Sequence, residues 1–226
     1  MIEPTKYTVS PELVEQALID YPITDEVVVL NEHDGDFFYG NWTIKSEYKD
    51  TPWEQILNSL DCTIGEARII TLKPGESYQA HSDIDDRWHL SLTGDYSFLI
   101  DLENQTMFKC ERDYRWYIMD TSKVHTACNF GSVPRLELVV RERLRKPETF
   151  NDCVQVIITP LNMDEDIRYK FDNVFSPWLN KVNFRYMMSD FDPNLGIVKF
   201  KMERELIDEL NSLITSDFKI DYEPCI

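Results

Sequence analysis

Residues 67–102 read ARIITLKPGESYQAHSDIDDRWHLSLTGDYSFLIDL. Three short runs, Ala67–Leu72, Arg87–Thr93 and Tyr96–Leu102, are rich in β-branched, aromatic and aliphatic residues. Turn chemistry separates them: Lys73-Pro74-Gly75-Glu76 and Thr93-Gly94-Asp95. Runs of this length between Gly, Pro and Asp clusters predict strands rather than helices. Downstream the texture continues through Thr106–Cys110, Arg115–Met119, His125–Phe130 and Leu136–Arg141, with turns at Glu103-Asn104 and Asn129-Phe130-Gly131-Ser132. Seven or so short, regularly punctuated strands predict an all-β sandwich or open barrel over about 67–144.

On the N-terminal side the pattern is different. Ser10-Pro11-Glu12 predicts a helix start, with Ser10 as N-cap and Pro11 at the first helical position, followed by Leu13, Val14, Ala17 and Leu18 at helical spacing. Val27–Leu30 predicts a short buried strand, and the polar residues 31–50 a loop or ragged hairpin. Thr51 to Glu54 predicts a capping box opening a short helix that carries Trp53, Ile56, Leu57 and Leu60. On the C-terminal side Val154–Thr159 predicts one more strand. Residues 160–200 are mixed, and Met202–Thr215 places Leu206, Ile207, Leu210, Leu213 and Ile214 on one helical face. Arg145-Lys146-Pro147-Glu148 is the predicted boundary. It separates a domain at 1–147, with its β core at about 67–144, from an α+β extension at 148–226.

The totals bound the function. The chain has 226 residues, 42% hydrophobic and 12% aromatic, enough for one substantial core with an appendage. No run approaches the ~20 apolar residues needed to span a bilayer, and Met1–Lys6 lacks the regions of a signal peptide. The five cysteines (Cys62, Cys110, Cys128, Cys153 and Cys225) are scattered with no CxxC pair, which predicts neither structural zinc nor a disulfide framework and fits a reducing cytoplasm. A net charge of −18 argues against nucleic acid or an anionic membrane as the main partner. It does not oppose a small anion held by a few arginines in a pocket.

The chemistry concentrates in three patterns. His81-Ser82-Asp83 places an imidazole and a carboxylate two residues apart, on one face if the segment is a strand. His125 follows 44 residues later, on a strand able to lie beside the first. Two histidines and one carboxylate suit Fe(II), manganese or zinc, with positions open for a co-substrate. Arg87, His89 and Ser91 alternate with Trp88, Leu90 and Leu92, so a cationic face opposes an apolar one. In a barrel with a ligand cavity the cationic face can look inward. Arg135, ten residues after His125, opens a strand predicted to return beside the His125 strand and so to bring a guanidinium near the metal. Its fork matches a carboxylate bidentately.

The matching text ARIITLKPGESYQAHSD, DRWHLSL and VHTACNFGSVPRLELVVR resembles the aspartyl/asparaginyl β-hydroxylase and proline hydroxylase branch of the Fe(II)/2-oxoglutarate-dependent oxygenases. HxD alone is common; HxD, then RxH, then His followed by Arg, in that order, is specific. The resemblance implies a mainly β fold whose core is a double-stranded β-helix (a cupin-like jelly roll) with flanking helices. It implies Fe(II) held by His81, Asp83 and His125, with 2-oxoglutarate and O2 as co-substrates. Arg135 would grip the distal carboxylate, Arg87 and His89 would assist there or at the substrate, and Asn129 would fix the turn after the last ligand. The implied activity is hydroxylation of an unactivated C–H bond of an amino acid or of a peptidyl Asp, Asn or Pro residue. Glu137 stands where relatives often have a histidine. Two other readings stay open: a cupin-type metalloenzyme that does not use 2-oxoglutarate, and a non-enzymatic cupin-like binding module.

Overall fold

The computed structural model describes residues 2–144, 150, 152–163, 166–182, 185–192 and 195–225. In chain order the elements are β1 (Ile2–Thr8), α1 (Pro11–Asp20), β2 (Val27–Val29), β3 (Asn31–His33), β4 (Trp42–Ile44), α2 (Pro52–Leu57), β5 (Ile64–Leu72), β6 (Arg87–Thr93), β7 (Ser97–Asp101), β8 (Thr106–Lys109), β9 (Arg115–Met119), β10 (His125–Asn129) and β11 (Arg135–Glu142). There follow β12 (Cys153–Pro160), α3 (Ile167–Val174), α4 (Ser176–Lys181), β13 (Tyr186–Asp192), β14 (Ile197–Glu203), α5 (Ile207–Asn211) and β15 (Phe218–Pro224). They fall into two compact units. One is residues 1–80 with 85–144; the other is 145–226 with the loop residues 81–84. The predicted boundary at Arg145–Glu148 lies outside the described residues.

Strand order makes the first unit a jelly roll. The large sheet runs β1-β9-β6-β11-β5-β2 and the small one β10-β7-β8. An isolated bridge from Ser77 to Cys128 adds the segment after β5 to the free side of β10. From β5 onward the chain therefore enters the large sheet, then the small sheet at Ser77, and returns to the large sheet at β6. It forms the β7–β8 hairpin in the small sheet, then continues through β9 (large), β10 (small) and β11 (large). Eight antiparallel segments wound between two sheets in this order form a double-stranded β-helix. The fold is mainly β, as the sequence predicts, and the strand limits differ by at most three residues from those expected.

The large sheet is buried on both faces, and its strands alternate accordingly. Trp88, Leu90, Leu92, Trp116, Leu138, Val140, Ala67 and Ile69 pack beneath α1 and α2 with Val14, Ala17, Trp53, Ile56 and Leu57. The opposite face looks between the sheets, where a smaller apolar cluster (Leu72, Leu99, Cys110, Met119 and Ala127) accompanies charged side chains. Ser10 caps α1 as expected, its Oγ accepting from the Leu13 N–H at 3.1 Å. The capping box at α2 does not form as predicted. Asp50 takes a left-handed φ of 59°. That brings its own N–H to Glu54 Oε2 at 2.6 Å, while the Thr51 hydroxyl donates to the Tyr48 carbonyl. β1 was not anticipated because Pro4 interrupts it. Proline is tolerated there because β1 is an edge strand, paired with β9 alone.

The second unit is the expected α+β piece, a four-stranded antiparallel sheet ordered β13-β14-β12-β15 with α3, α4 and α5. Val154, Val156 and Ile158 of β12 and Val198, Phe200 and Met202 of β14 alternate into a core with Phe175, Trp178, Leu179 and Phe218. The helix predicted over Met202–Thr215 is shorter. Met202 belongs to β14, where Val156 pairs with Phe200 and Val154 with Met202. A 3-10 turn at Arg204–Leu206 then leads into α5. Pairing across the sheet overrides the local helical period. Among the described residues no helix is long and apolar enough to cross a membrane.

Candidate metal centre

His81, Asp83 and His125 come together: each offers a ligand atom, and the three atoms lie within 4.8 Å of one another. His81 Nε2 is 3.8 Å from Asp83 Oδ2. His125 opens β10 and is buried. Its Nδ1 sits 2.8 Å from the Lys123 carbonyl. A carbonyl only accepts, so Nδ1 carries the proton and Nε2 keeps its lone pair for a metal. His81 and Asp83 do not lie on a regular strand, so it is not a strand face that they share. They occupy the irregular loop between β5 and β6.

The loop is tied down immediately after the ligands. Asp85, almost fully buried, receives Arg141 Nε at 2.6 Å and also pairs with Arg141 Nη2 and Arg87 Nη1. The Asp85 carbonyl accepts from Thr121 Oγ1 at 2.6 Å. Arg87 and Arg141 are opposite one another in the β6–β11 ladder. One carboxylate between two guanidiniums thus fixes the rim where β6 begins, β9 ends and β11 ends.

The strand that carries Arg135 does not return beside β10 as expected. β11 pairs with β5 and β6, not with β10, so its connection from β10 crosses to the opposite sheet. Arg135 is aligned with Leu72, six residues along β11 from Arg141, about 20 Å at the rise of a strand. Arg87 is therefore a rim residue, held by Asp85, and does not share a site with Arg135. His89 does approach it through Glu137. Glu137 Oε2 is 3.4 Å from Arg135 Nη2 and accepts from Ser91 Oγ at 2.8 Å, and Glu137 Oε1 is 3.4 Å from His89 Nδ1. Arg135 Nη2 also reaches Cys110 Sγ at 3.8 Å.

Burial governs the charge state here. It pulls the His89 imidazole below its usual range, against the pull of Glu137, so His89 is neutral near pH 7. Burial would raise the Glu137 carboxyl, but Arg135, His89 and Ser91 outweigh it and hold the group ionised. Burial pushes the Cys110 thiol up to about 12, with Glu137 adding to the effect. Arg135 Nε and His89 Nε2 are buried without a hydrogen-bond partner. Such atoms ordinarily find one, so an inward-facing polar ligand is the natural complement.

Asn129 fixes the turn that carries the chain across. Its amide donates to the carbonyls of Leu72 and Val133, both at 2.9 Å, and its Oδ1 accepts from the Gly131 N–H at 2.9 Å. The ragged hairpin expected within residues 31–50 is present as β3–β4, but its aromatic cluster was not anticipated. Phe37 and Trp42 meet edge to face at 5.4 Å between ring centroids, with Phe38 and His33 against Phe37, and the Arg141 guanidinium lies 4.3 Å from the Phe37 centroid. The signal was present in Phe37-Phe38-Tyr39-Gly40-Asn41-Trp42, four aromatics in six residues of a polar loop. Asp85 and Arg141 also went unremarked, because nothing local marks a charge pair 56 residues apart.

No protein-family model and no curated protein sequence matches the chain. Solved structures do match. A cupin domain from Bordetella pertussis Tohama I aligns at 14% identity over 37% of this chain and 85% of its own, with a TM-score of 0.32. A cupin 2 conserved barrel domain protein from Rhodopseudomonas palustris aligns at 13% identity over 54% and 75%, with a TM-score of 0.31. The capsular polysaccharide assembling protein CapF from Staphylococcus aureus aligns at 13% identity over 54% of this chain and 32% of that one, with a TM-score of 0.31.

Proposed function

We propose that the chain is an Fe(II)- and 2-oxoglutarate-dependent dioxygenase that hydroxylates an unactivated C–H bond of an amino acid or of a peptidyl Asp, Asn or Pro residue. The observation that carries this is the convergence of two imidazoles and one carboxylate at the rim of a jelly roll. That donor set, with positions left open, suits Fe(II). Bound there, Fe(II) with 2-oxoglutarate and O2 supplies the oxidising power, and 2-oxoglutarate leaves as succinate and CO2.

The chain's own residues supply placement. Asp83 contributes the negative charge, and His125 presents Nε2 because Lys123 holds the other nitrogen. The Asp85 anchor, two residues beyond Asp83, fixes the end of the ligand loop. Inside the barrel Arg135 offers its Nε–H to a carboxylate, and Glu137 holds the guanidinium from behind, with His89 on the other oxygen of the same carboxylate. The apolar cluster beside them excludes water from that floor. No side-chain nucleophile or general base is required.

One observation favours a second reading. The Arg135 charge is already balanced by Glu137, so a cupin-type metalloenzyme without 2-oxoglutarate also fits. The deciding experiment is an anaerobic titration of metal-free protein with Fe(II) and then 2-oxoglutarate, following the visible charge-transfer band of the chelate. A band that needs His125, and needs far more 2-oxoglutarate in Arg135→Ala, is the expected result. Tight iron binding with no band supports the second reading, and no iron binding leaves a binding module.

A further inference from the structure

We infer that the β3–β4 hairpin is the docking surface for a lysine or arginine side chain flanking the reacting residue of a peptide substrate. This rests on the reaction proposed for the metal centre, and it narrows the substrate to basic peptides.

Position comes first. Arg143 Nη1 donates to the Gly40 carbonyl at 2.9 Å and to Asn41 Oδ1 at 3.0 Å, and Arg141 lies against Phe37. Arg141 lies near the end of β11 and Arg143 just beyond it, and Arg141 grips Asp85, two residues after the ligand Asp83. The hairpin therefore stands on the rim that the metal-ligand loop enters.

Its composition is not that of a structural plug. Polar contacts already close the loop: Asp34 Oδ2 accepts from Asn41, and Asp36 Oδ1 accepts from the N–H groups of Phe38 and Tyr39. The rings are not needed for that closure, yet Phe37 remains 37% exposed, with Phe38, Tyr39 and Trp42 half-buried. Rings left partly in water at the edge of a site are disposed to bind.

Charge selects the occupant. From Asn31 to Ile44 there are three carboxylates (Glu32, Asp34 and Asp36) and no lysine or arginine, in a chain of net charge −18. Aromatic faces attract cations, guanidinium most often. Phe37 already receives one from the buried Arg141 and is itself 37% exposed, so part of the ring stays open to solvent. Arg141 and Arg143 also touch the hairpin, but Arg141 is buried and Arg143 half-buried, whereas Glu32, Asp34 and Asp36 are exposed, so an anionic segment arriving from solvent would meet the carboxylates first.

The test uses two short peptides with a central proline, identical except that two lysines in one are glutamines in the other. Each is titrated calorimetrically into the full-length protein at low salt, without metal or 2-oxoglutarate. The lysine peptide is expected to bind on the order of tenfold tighter, the scale of a cation–π contact reinforced by carboxylates. Phe37→Leu and Trp42→Leu keep apolar bulk and remove the ring face, and each should erase most of that preference. Glu32→Gln, which leaves every ring in place, should reduce it. Equal affinity for the two peptides, no binding of either, or a preference that survives in both leucine variants overturns the inference. The Fe(II)/2-oxoglutarate band of the wild-type protein is read separately. Its absence sinks the oxygenase reading while leaving the peptide result standing.

Discussion

Replacing Arg135 with methionine removes a cation from the barrel floor while keeping much of its volume. Glu137 is 1% exposed and would be left with only Ser91 and the neutral His89. Breaking a buried ion pair from one side costs about 3–5 kcal/mol, because the remaining charge is stranded. The retained Ser91 hydrogen bond places the expected loss at the lower end, about 3 kcal/mol at pH 8. The pH dependence follows from the same geometry. Without Arg135 the burial effect on Glu137 is no longer outweighed, so its folded pKa rises above its unfolded value. Such a group takes up a proton more readily in the folded state, so the deficit shrinks as pH falls toward 5 and is largest at high pH. Arg135→Met/Glu137→Gln removes the stranded charge and should recover most of the loss. Urea unfolding of the four proteins at pH 8 and pH 5 closes the cycle. Trp53, Trp88 and Trp116 report on the barrel, since all three are buried in its core. A loss under about 1 kcal/mol that is the same at both pH values would refute the claim that this pair holds the floor.

Three further outcomes are expected. Asp83→Ala should weaken cobalt(II) binding, followed by its visible spectrum, by more than the roughly 10–100-fold typical of outer-sphere partners, since it deletes a ligand. His89 has a lowered folded pKa, so the unfolded chain binds the proton first. Barrel stability should therefore fall as pH drops below the ordinary value of 6.5, by at most about 1.4 kcal/mol per pH unit, and His89→Gln should flatten that slope in urea titrations. Leu90→Ala, fully buried beneath the helices, should cost about 2–5 kcal/mol in the same assay while leaving metal affinity near wild type, because it faces away from the interior.

Strand content was legible because turn chemistry is local. Thr93-Gly94-Asp95 and Asn129-Phe130-Gly131-Ser132 announce their turns within four residues. The two faces of β6 were also legible, since Trp88, Leu90 and Leu92 separate from Arg87, His89 and Ser91 by simple alternation. What the sequence could not reveal is which strand lies beside which. The spacing of His125 and Arg135 suits a hairpin, yet their strands sit in different sheets, because a jelly roll changes sheet at that turn. Arg87 and Arg135 looked like partners and are separated by the length of a strand, while Asp85 and Arg141 looked unrelated and meet. In the second unit β14 carries a helical-looking pattern whose strand identity depends on pairing with β12.

The alternation of β6 and β11 has a consequence for how such a protein can change. On each strand one set of positions is committed to the helix-covered core and the next set to the interior. The two sets share a backbone but almost no neighbours. Substitutions at His89 or Ser91, or paired ones at Arg135 and Glu137 that strand no charge, can therefore rewrite what the cavity accepts while Leu90, Leu138 and Val140 preserve the scaffold. A lineage built on this sheet can exchange one ligand chemistry for another in small steps. The residues that make it fold and the residues that make it selective are inherited on the same strands but answer to different pressures.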